Sequence, residues 1–166
     1  MFEATRLFDC LAINVKEKPL EDMLAAKEGG QWKKYSTQTV KETVDKLSAG
    51  LLSIGVGGGD MTAEGRDKVA LLSKNRPEWI MLDLAVQQIG AILTPLYPTI
   101  NVNELEFVLN DAQAKVVFVN DQDLYLKVVS LKDRLPHLQK IYTFEHVANA
   151  AHWKELLTAA TPALIE

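Results

Sequence analysis

Three histidines, His137, His146 and His152, two separated serines, Ser73 and Ser130, and the glycine-rich run Gly55-Val-Gly-Gly-Gly-Asp60 are the residues from which this chain could build chemistry. His146 and His152 are six positions apart, so on a helix they would not share a face as a pair at four would. With one cysteine, Cys10, no zinc site of ordinary ligand spacing can be assembled. No Gly-x-Ser-x-Gly elbow occurs, and neither serine has a histidine beside it in sequence. Asp111 and Asp121 fall near opposite ends of one expected strand, and nothing marks them as an acid/base pair. No catalytic residue and no metal ligand is assigned.

The glycine run is the sharper question. A phosphate loop works when glycines follow a strand and open a helix, because free backbone N–H groups and the helix dipole then face the anion. Here the order is reversed. The glycines follow an apolar helical pattern and precede a strand, so carbonyl ends face them. Asp60 stands where the last glycine of a Gly-x-Gly-x-x-Gly pattern belongs, and no Lys-Ser/Thr pair follows. The run is expected to be a flexible helix-to-strand connection continuing through Met61-Thr-Ala-Glu-Gly-Arg66.

The surrounding elements follow from apolar periodicity. Residues 4–15 carry Leu7, Phe8, Leu11 and Ala12 at helical spacing, and Pro19 ends that segment. Two short strands joined at Gly29-Gly30 read as a hairpin, since both glycines tolerate the positive φ of a tight turn. Ser36 or Thr37 caps a helix bearing Val40, Val44, Leu47 and Leu51 on one face, which closes at Gly55. Strands are then expected at 68–73, 91–96, 115–119 and 140–144. Helices fill the intervals: one from Pro77 to Gly90 with Asn75 or Arg76 at the cap, one capped by Asn101 with Glu104, and one from Asp121 to about Leu135. A further helix is expected from about 146 to 160, burying Val147, Trp153, Leu156 and Leu157, with Pro162 closing it.

Strand and helix in alternation imply βαβ crossovers, hence an α/β fold. It is read as a parallel, doubly wound, flavodoxin-like sheet with helices on both faces, preceded by a small β-hairpin. One domain is expected, divided into an N-terminal helix and hairpin (1–36), an α/β subdomain (37–145) and a C-terminal helical tail (146–166). In such sheets ligands bind beyond the carboxyl ends of the strands. That places Asn75, Tyr97, Thr99 and Asp121 as rim candidates for ligand contact. Each also has a simpler reading as a cap or turn residue.

Composition narrows the setting. Hydrophobic residues make up 48% and charged residues 24%, with 18 Lys and Arg against 22 Asp and Glu. No basic stripe supports a nucleic-acid partner. No segment approaches the roughly 18 uncharged apolar residues of a membrane span, and the amino terminus lacks the pattern of a signal peptide. The chain reads as cytoplasmic, with membrane contact at most peripheral through Phe2, Leu7 and Phe8.

The run LLSKNRPEWIMLDLAVQQIGAILTPLYPTINVNELEFVLNDAQAKVVFVND resembles the amino-terminal region of the adenylate-forming enzymes, most closely the long-chain fatty-acyl-CoA ligases. Trp32-Lys-Lys-Tyr35-Ser36 before a capped helix is similar to the family's early hairpin and helix. Gly90-Ala-Ile-Leu-Thr-Pro95 with Tyr97-Pro98 is similar to its second core motif, and LKDRLPHLQKIYTFE to the strand before its phosphate loop. The resemblance covers roughly residues 5–145 and implies a parent enzyme that joins a fatty acid to CoA through an acyl-adenylate, using ATP, Mg and CoA. The family's phosphate loop, adenine motif, ribose-binding aspartate and carboxyl-terminal lysine are not found in this sequence. The chain is therefore expected to be an amino-terminal fragment, inactive alone and holding no cofactor itself. Its partners would be the remainder of the parent enzyme, or a second copy in a homo-oligomer. The span MTAEGR reads as a surface insertion relative to the family. The alternative is a free-standing flavodoxin-like nucleotide- or protein-binding module, although the turn SKNRPEW lacks a phosphate loop for FMN.

Overall fold

The computed structural model describes residues 4–159. The first helix, α1 (Asp9–Glu17), starts later than its apolar spacing suggests. The Asp9 carboxylate accepts from the Arg6 guanidinium at 2.9 Å and from the Thr5 and Arg6 backbone N–H groups at 3.2 and 2.9 Å. Those bonds hold residues 5–8 in a turn ahead of the helix. The Arg6 side chain is also the main reason that the Asp9 carboxyl is held down to about 2.

Strands β1 (Leu24–Glu28) and β2 (Gln31–Tyr35) pair antiparallel, with Leu24 opposite Tyr35 and Glu28 opposite Gln31. Gly29 at φ +57° and Gly30 at φ +83° make the turn, as the sequence predicts. Helix α2 (Thr37–Ser53) begins where Ser36 Oγ accepts from Thr39 N at 3.1 Å. Val40, Val44, Leu47 and Leu51 are fully buried on its inner face, and Gly55 at φ +79° closes it.

The main sheet holds β3 (Lys68–Leu72), β4 (Ile92–Leu96), β5 (Val116–Val119), β6 (Lys140–Thr143) and β7 (Ala151–His152), all parallel, in the order β4-β3-β5-β6-β7. Numbered within the sheet this is 2-1-3-4-5, the flavodoxin-like winding. Its crossovers are α3 (Pro77–Gln88), α4 (Val102–Asp111) and α5 (Gln122–Val129). Strand residues alternate between two cores. Val69, Leu71, Val116, Phe118 and Tyr142 pack with α2 and α3, whereas Ala70, Leu72, Val117 and Val119 pack with Leu105, Leu109, Leu124 and Val128 of α4 and α5. Burial on both faces is why these strands read as apolar runs without alternation.

Two expectations are corrected. The helix from Asp121 stops at Val129, and a 3-10 turn (Lys132–Arg134) follows, with Leu131 and Leu135 buried beside it. The helix expected over 146–160 does not form across the described part of that range. Ala150 N bonds Val147 O in a turn, Asn149 sits at φ +61°, and residues 151–152 join the sheet as its fifth strand. Only the 3-10 turn Trp153–Glu155 and the short α6 (Leu156–Ala159) are helical. Trp153 and Leu156 are buried as expected, and Pro162 lies outside the described residues.

Candidate functional site

The parallel winding brings the carboxyl ends of β3, β4, β5 and β6 to one edge of the sheet. A cleft of about 530 Å³ opens there between the β3–α3 loop and the segment after β4, lined by Ser73, Lys74, Asn75, Trp79, Pro95 and the Leu96–Pro98 turn. Pro95 and Pro98 stiffen the turn, so Tyr97 projects with 84% of its surface exposed. Pro77 at the first turn of α3 places Trp79 on the opposing wall.

Of the four rim candidates, Asn75 and Tyr97 line this cleft together. Thr99 is exposed beyond its lining. Asp121 is the N-cap of α5, its Oδ1 accepting from Leu124 N at 3.1 Å. Asn75 is not a cap: Arg76 occupies that position of α3 and makes no side-chain cap bond.

Next to the cleft, the winding reverses between β3 and β5, and a connected polar cluster fills that point. Asn120 is 5% exposed. Its Oδ1 accepts from Arg76 Nη1 at 3.3 Å and from Ser73 Oγ at 3.1 Å, the Ser73 hydroxyl sharing its one proton with the Lys74 carbonyl at 2.9 Å. Its Nδ2 donates to Asp121 Oδ2 at 3.2 Å and to Glu145 Oε1 at 3.1 Å. The amide orientation is consistent throughout, with donors facing its oxygen and carboxylates facing its nitrogen. Arg76 also bonds Glu78 at 2.8 Å and lies over the Phe144 ring, 4.8 Å from its centre. Sequence reading missed Asn120, Arg76, Glu145 and Trp79 as a group. The available signal was a polar residue directly after the apolar run Val116–Val119, but its neighbours depend on strand order.

At the other end of the sheet the glycine run behaves as its position implies. The Gly55 carbonyl accepts from Lys115 Nζ, which also pairs with Asp67 at 3.1 Å, and Asp67 accepts from Gly57 N at 2.9 Å. A lysine on a helix-end carbonyl is the opposite of an anion site. The connection is also more ordered than expected. Asp60 accepts from Thr62 N at 2.9 Å and Thr62 Oγ1 at 2.7 Å, which depresses its pKa, and Arg66 Nε donates to Met61 O. A larger hollow of about 740 Å³ adjoins this loop, lined by Leu7, Phe8, Leu52 and Met61 among others. Leu7 is exposed there, Phe8 packs on the core, and Phe2 lies outside the described residues.

Among the described residues no group of three or more His, Cys, Asp or Glu could hold a metal ion. No described helix is long and apolar enough to cross a membrane.

Comparison with known proteins gives this scaffold a context. The chain is 29% identical over 112 residues to the long-chain-fatty-acid–CoA ligase FadD15 of Mycobacterium bovis, covering 68% of this chain and 18% of that protein. It is 29% identical over 147 residues to long chain acyl-CoA synthetase 3 of Arabidopsis thaliana, covering 86% and 21%. The crystal structure of the anthranilate CoA ligase AuaEII with anthranoyl-AMP superposes with a TM-score of 0.74 at 19% identity, covering 93% of this chain and 27% of that one. That likeness establishes a shared fold. The chain thus spans about a fifth of the length of the curated relatives it matches. The family model described as AMP-binding enzyme matches residues 11–163, hairpin, sheet and cleft included, and the chain belongs to that family.

Proposed function

We propose that this chain is the first α/β lobe of a long-chain fatty-acid–CoA ligase. In the complete enzyme a fatty-acid carboxylate attacks the α-phosphate of ATP, releasing pyrophosphate and forming an acyl-adenylate, and the CoA thiol then displaces AMP. Such chemistry rests on charge neutralisation at the phosphates and on exclusion of water from a reactive anhydride. The observation that carries the reading is the match across residues 11–163 to a family whose relatives here are named as fatty-acid–CoA ligases, over only about a fifth of their length.

This lobe supplies scaffold and one wall of a ligand site. Trp79 and Tyr97 offer apolar and aromatic surface, with Lys74 and Asn75 as polar groups at the mouth. That lining suits contact with a ligand carrying both planar and anionic parts. The glycine connection binds no phosphate, and no magnesium step is assigned to these residues. The remaining polypeptide of the enzyme is the partner, and the setting is cytoplasmic.

The test combines two measurements on this chain. Palmitate-dependent exchange of labelled pyrophosphate into ATP should be undetectable, and the thermal midpoint should not move with FMN. Exchange by the chain alone would overturn its role as an incomplete lobe. A clear FMN shift would favour a free-standing flavodoxin-like module, because a ligand at 100 times its dissociation constant adds about 2.7 kcal/mol.

A further inference from the structure

The point where the winding reverses, between β3 and β5, is where doubly wound sheets commonly seat their ligand. Here it is closed by the chain's own side chains. Asn120 occupies it, 5% exposed, with contacts on both sides. Toward β3 its oxygen takes the Ser73 hydroxyl and the Arg76 guanidinium. Toward β6 its amide nitrogen reaches Asp121 and Glu145.

The pattern of these contacts is informative. Ser73 and Arg76 bracket Lys74 and Asn75, the two exposed residues of the β3–α3 loop that line the adjacent cleft. Arg76 O accepts from Trp79 N at 3.1 Å, so the same clasp fixes the first turn of α3 and with it the aromatic wall. Arg76 is held from three sides, by Asn120, by Glu78 and by the face of Phe144. A buried amide whose oxygen grips both ends of a two-residue exposed loop restricts that loop without touching what binds there.

We infer that Asn120 is a positioning residue for the Asn75–Tyr97 cleft, acting through Ser73 and Arg76 to hold the β3–α3 loop in a binding-ready conformation. The functional meaning rests on the reading of that cleft as a ligand wall. The conformational claim is measured without ligand, so its failure is separate from failure of the exchange and melting tests.

The experiment is backbone ¹⁵N relaxation on this chain, with thermal midpoints recorded alongside. In the wild type the Lys74–Arg76 amides should have order parameters near about 0.85. In Asn120→Ala they should fall below about 0.6, with the β3 and β5 amides unchanged. Asn120→Asp keeps the acceptor for Ser73 and Arg76 but sets a third carboxylate beside Asp121 and Glu145. It should melt lower while the loop stays ordered. That separation is one a purely structural role does not produce. A rigid loop in Asn120→Ala, or a loop loosened equally by Asn120→Asp, would overturn the inference. Should Asn120→Ala fail to fold, Asn120→Leu fills the same space without the acceptor, leaves the Ser73 bond to the Lys74 carbonyl in place, and must still loosen Lys74–Arg76; unchanged order there overturns it equally.

Discussion

The rings of His146 and His152 stack 4.0 Å apart and within 10° of parallel, although in sequence they look like an unrelated pair. The turn at Asn149 and the return of the chain into β7 bring them together. His152 is buried, and its Nε2 donates to the Phe144 carbonyl at 3.0 Å. Burial pushes the His152 pKa below its ordinary 6.5. The nearby His146 and Lys154 add to that, while the Phe144 carbonyl and Glu155 oppose it. The unfolded chain therefore takes up a proton at this residue more readily than the folded one. The stability it contributes is complete above the unfolded value of about 6.5 and is lost as pH falls from there toward the folded value. Urea midpoints at about pH 7.5 and about pH 5.5 should show the chain weaker at the lower pH. In His152→Gln, whose amide can still donate to Phe144, that difference should shrink. An equal difference in the variant would place the titration elsewhere.

Gly50 lies in the middle of α2, where alanine would ordinarily stabilise a helix. A β-carbon there would run into the backbone carbonyl and Cβ of Leu156, at the start of α6. Backbone cannot rotate away as a side-chain tip can, so Gly50→Ala should destabilise by about 1–3 kcal/mol. The matching fall in the thermal midpoint is roughly 2–10 °C. Gly57→Ala is the control, because its β-carbon would meet only Leu52 Cδ2, at 3.6 Å. Its midpoint should stay within the range of about ±0.5 kcal/mol typical of surface changes.

How much of this was legible in the sequence follows from the range of the forces involved. Local signals act where they stand in the chain. Gly29-Gly30 made the hairpin, Ser36 and Asn101 capped their helices, Pro77 opened α3, and the apolar runs became buried parallel strands. The tail beyond Glu145 departs from its helical pattern because β6 offers residues 151–152 an open edge to pair with, although Trp153 and Leu156 have helical spacing. That is a tertiary choice that periodicity does not contain. The same limit applies at the site. Asn75 and Tyr97 could be nominated from strand ends, but the grip of Asn120 on Ser73 and Arg76 depends on β5 lying beside β3.

Lys115 couples the glycine connection to the sheet. Its ammonium joins the Gly55 carbonyl at the end of α2 to the Asp67 carboxylate just before β3, with both side chains about three-quarters buried (21% and 27% exposed). Lys115→Met keeps most of the stem but leaves the Gly55 carbonyl without its lysine donor and the Asp67 carboxylate with only the Gly57 N–H. Partly buried groups left unpaired cost about 1–3 kcal/mol, and the urea midpoint should drop accordingly. Because the lysine is committed to these oxygens, sodium phosphate should raise the melting temperature of Lys115→Met and of the wild type equally. A phosphate-specific gain confined to the wild type would reinstate the glycine run as an anion site.

Asn75 and Asp121 were both readable as caps or as ligand contacts, and a stability measurement now divides them. Asp121 Oδ1 satisfies the Leu124 N–H at the start of α5, and its Oδ2 accepts from Asn120. Asp121→Ala should therefore cost about 1 kcal/mol or more, the usual loss for an N-cap. Asn75 is exposed, one residue before the N-cap of α3, and Arg76 holds the cap position by its extended backbone alone. Asn75→Ala should leave the urea midpoint within about 0.5 kcal/mol of wild type. If Asn75→Ala is as costly as Asp121→Ala, the asparagine supports the start of α3 and its place in the cleft is incidental. If it is silent in stability, its amide at the cleft mouth beside Lys74 and Tyr97 is free to meet a ligand, and Asn75→Ala becomes the substitution to carry into the complete enzyme.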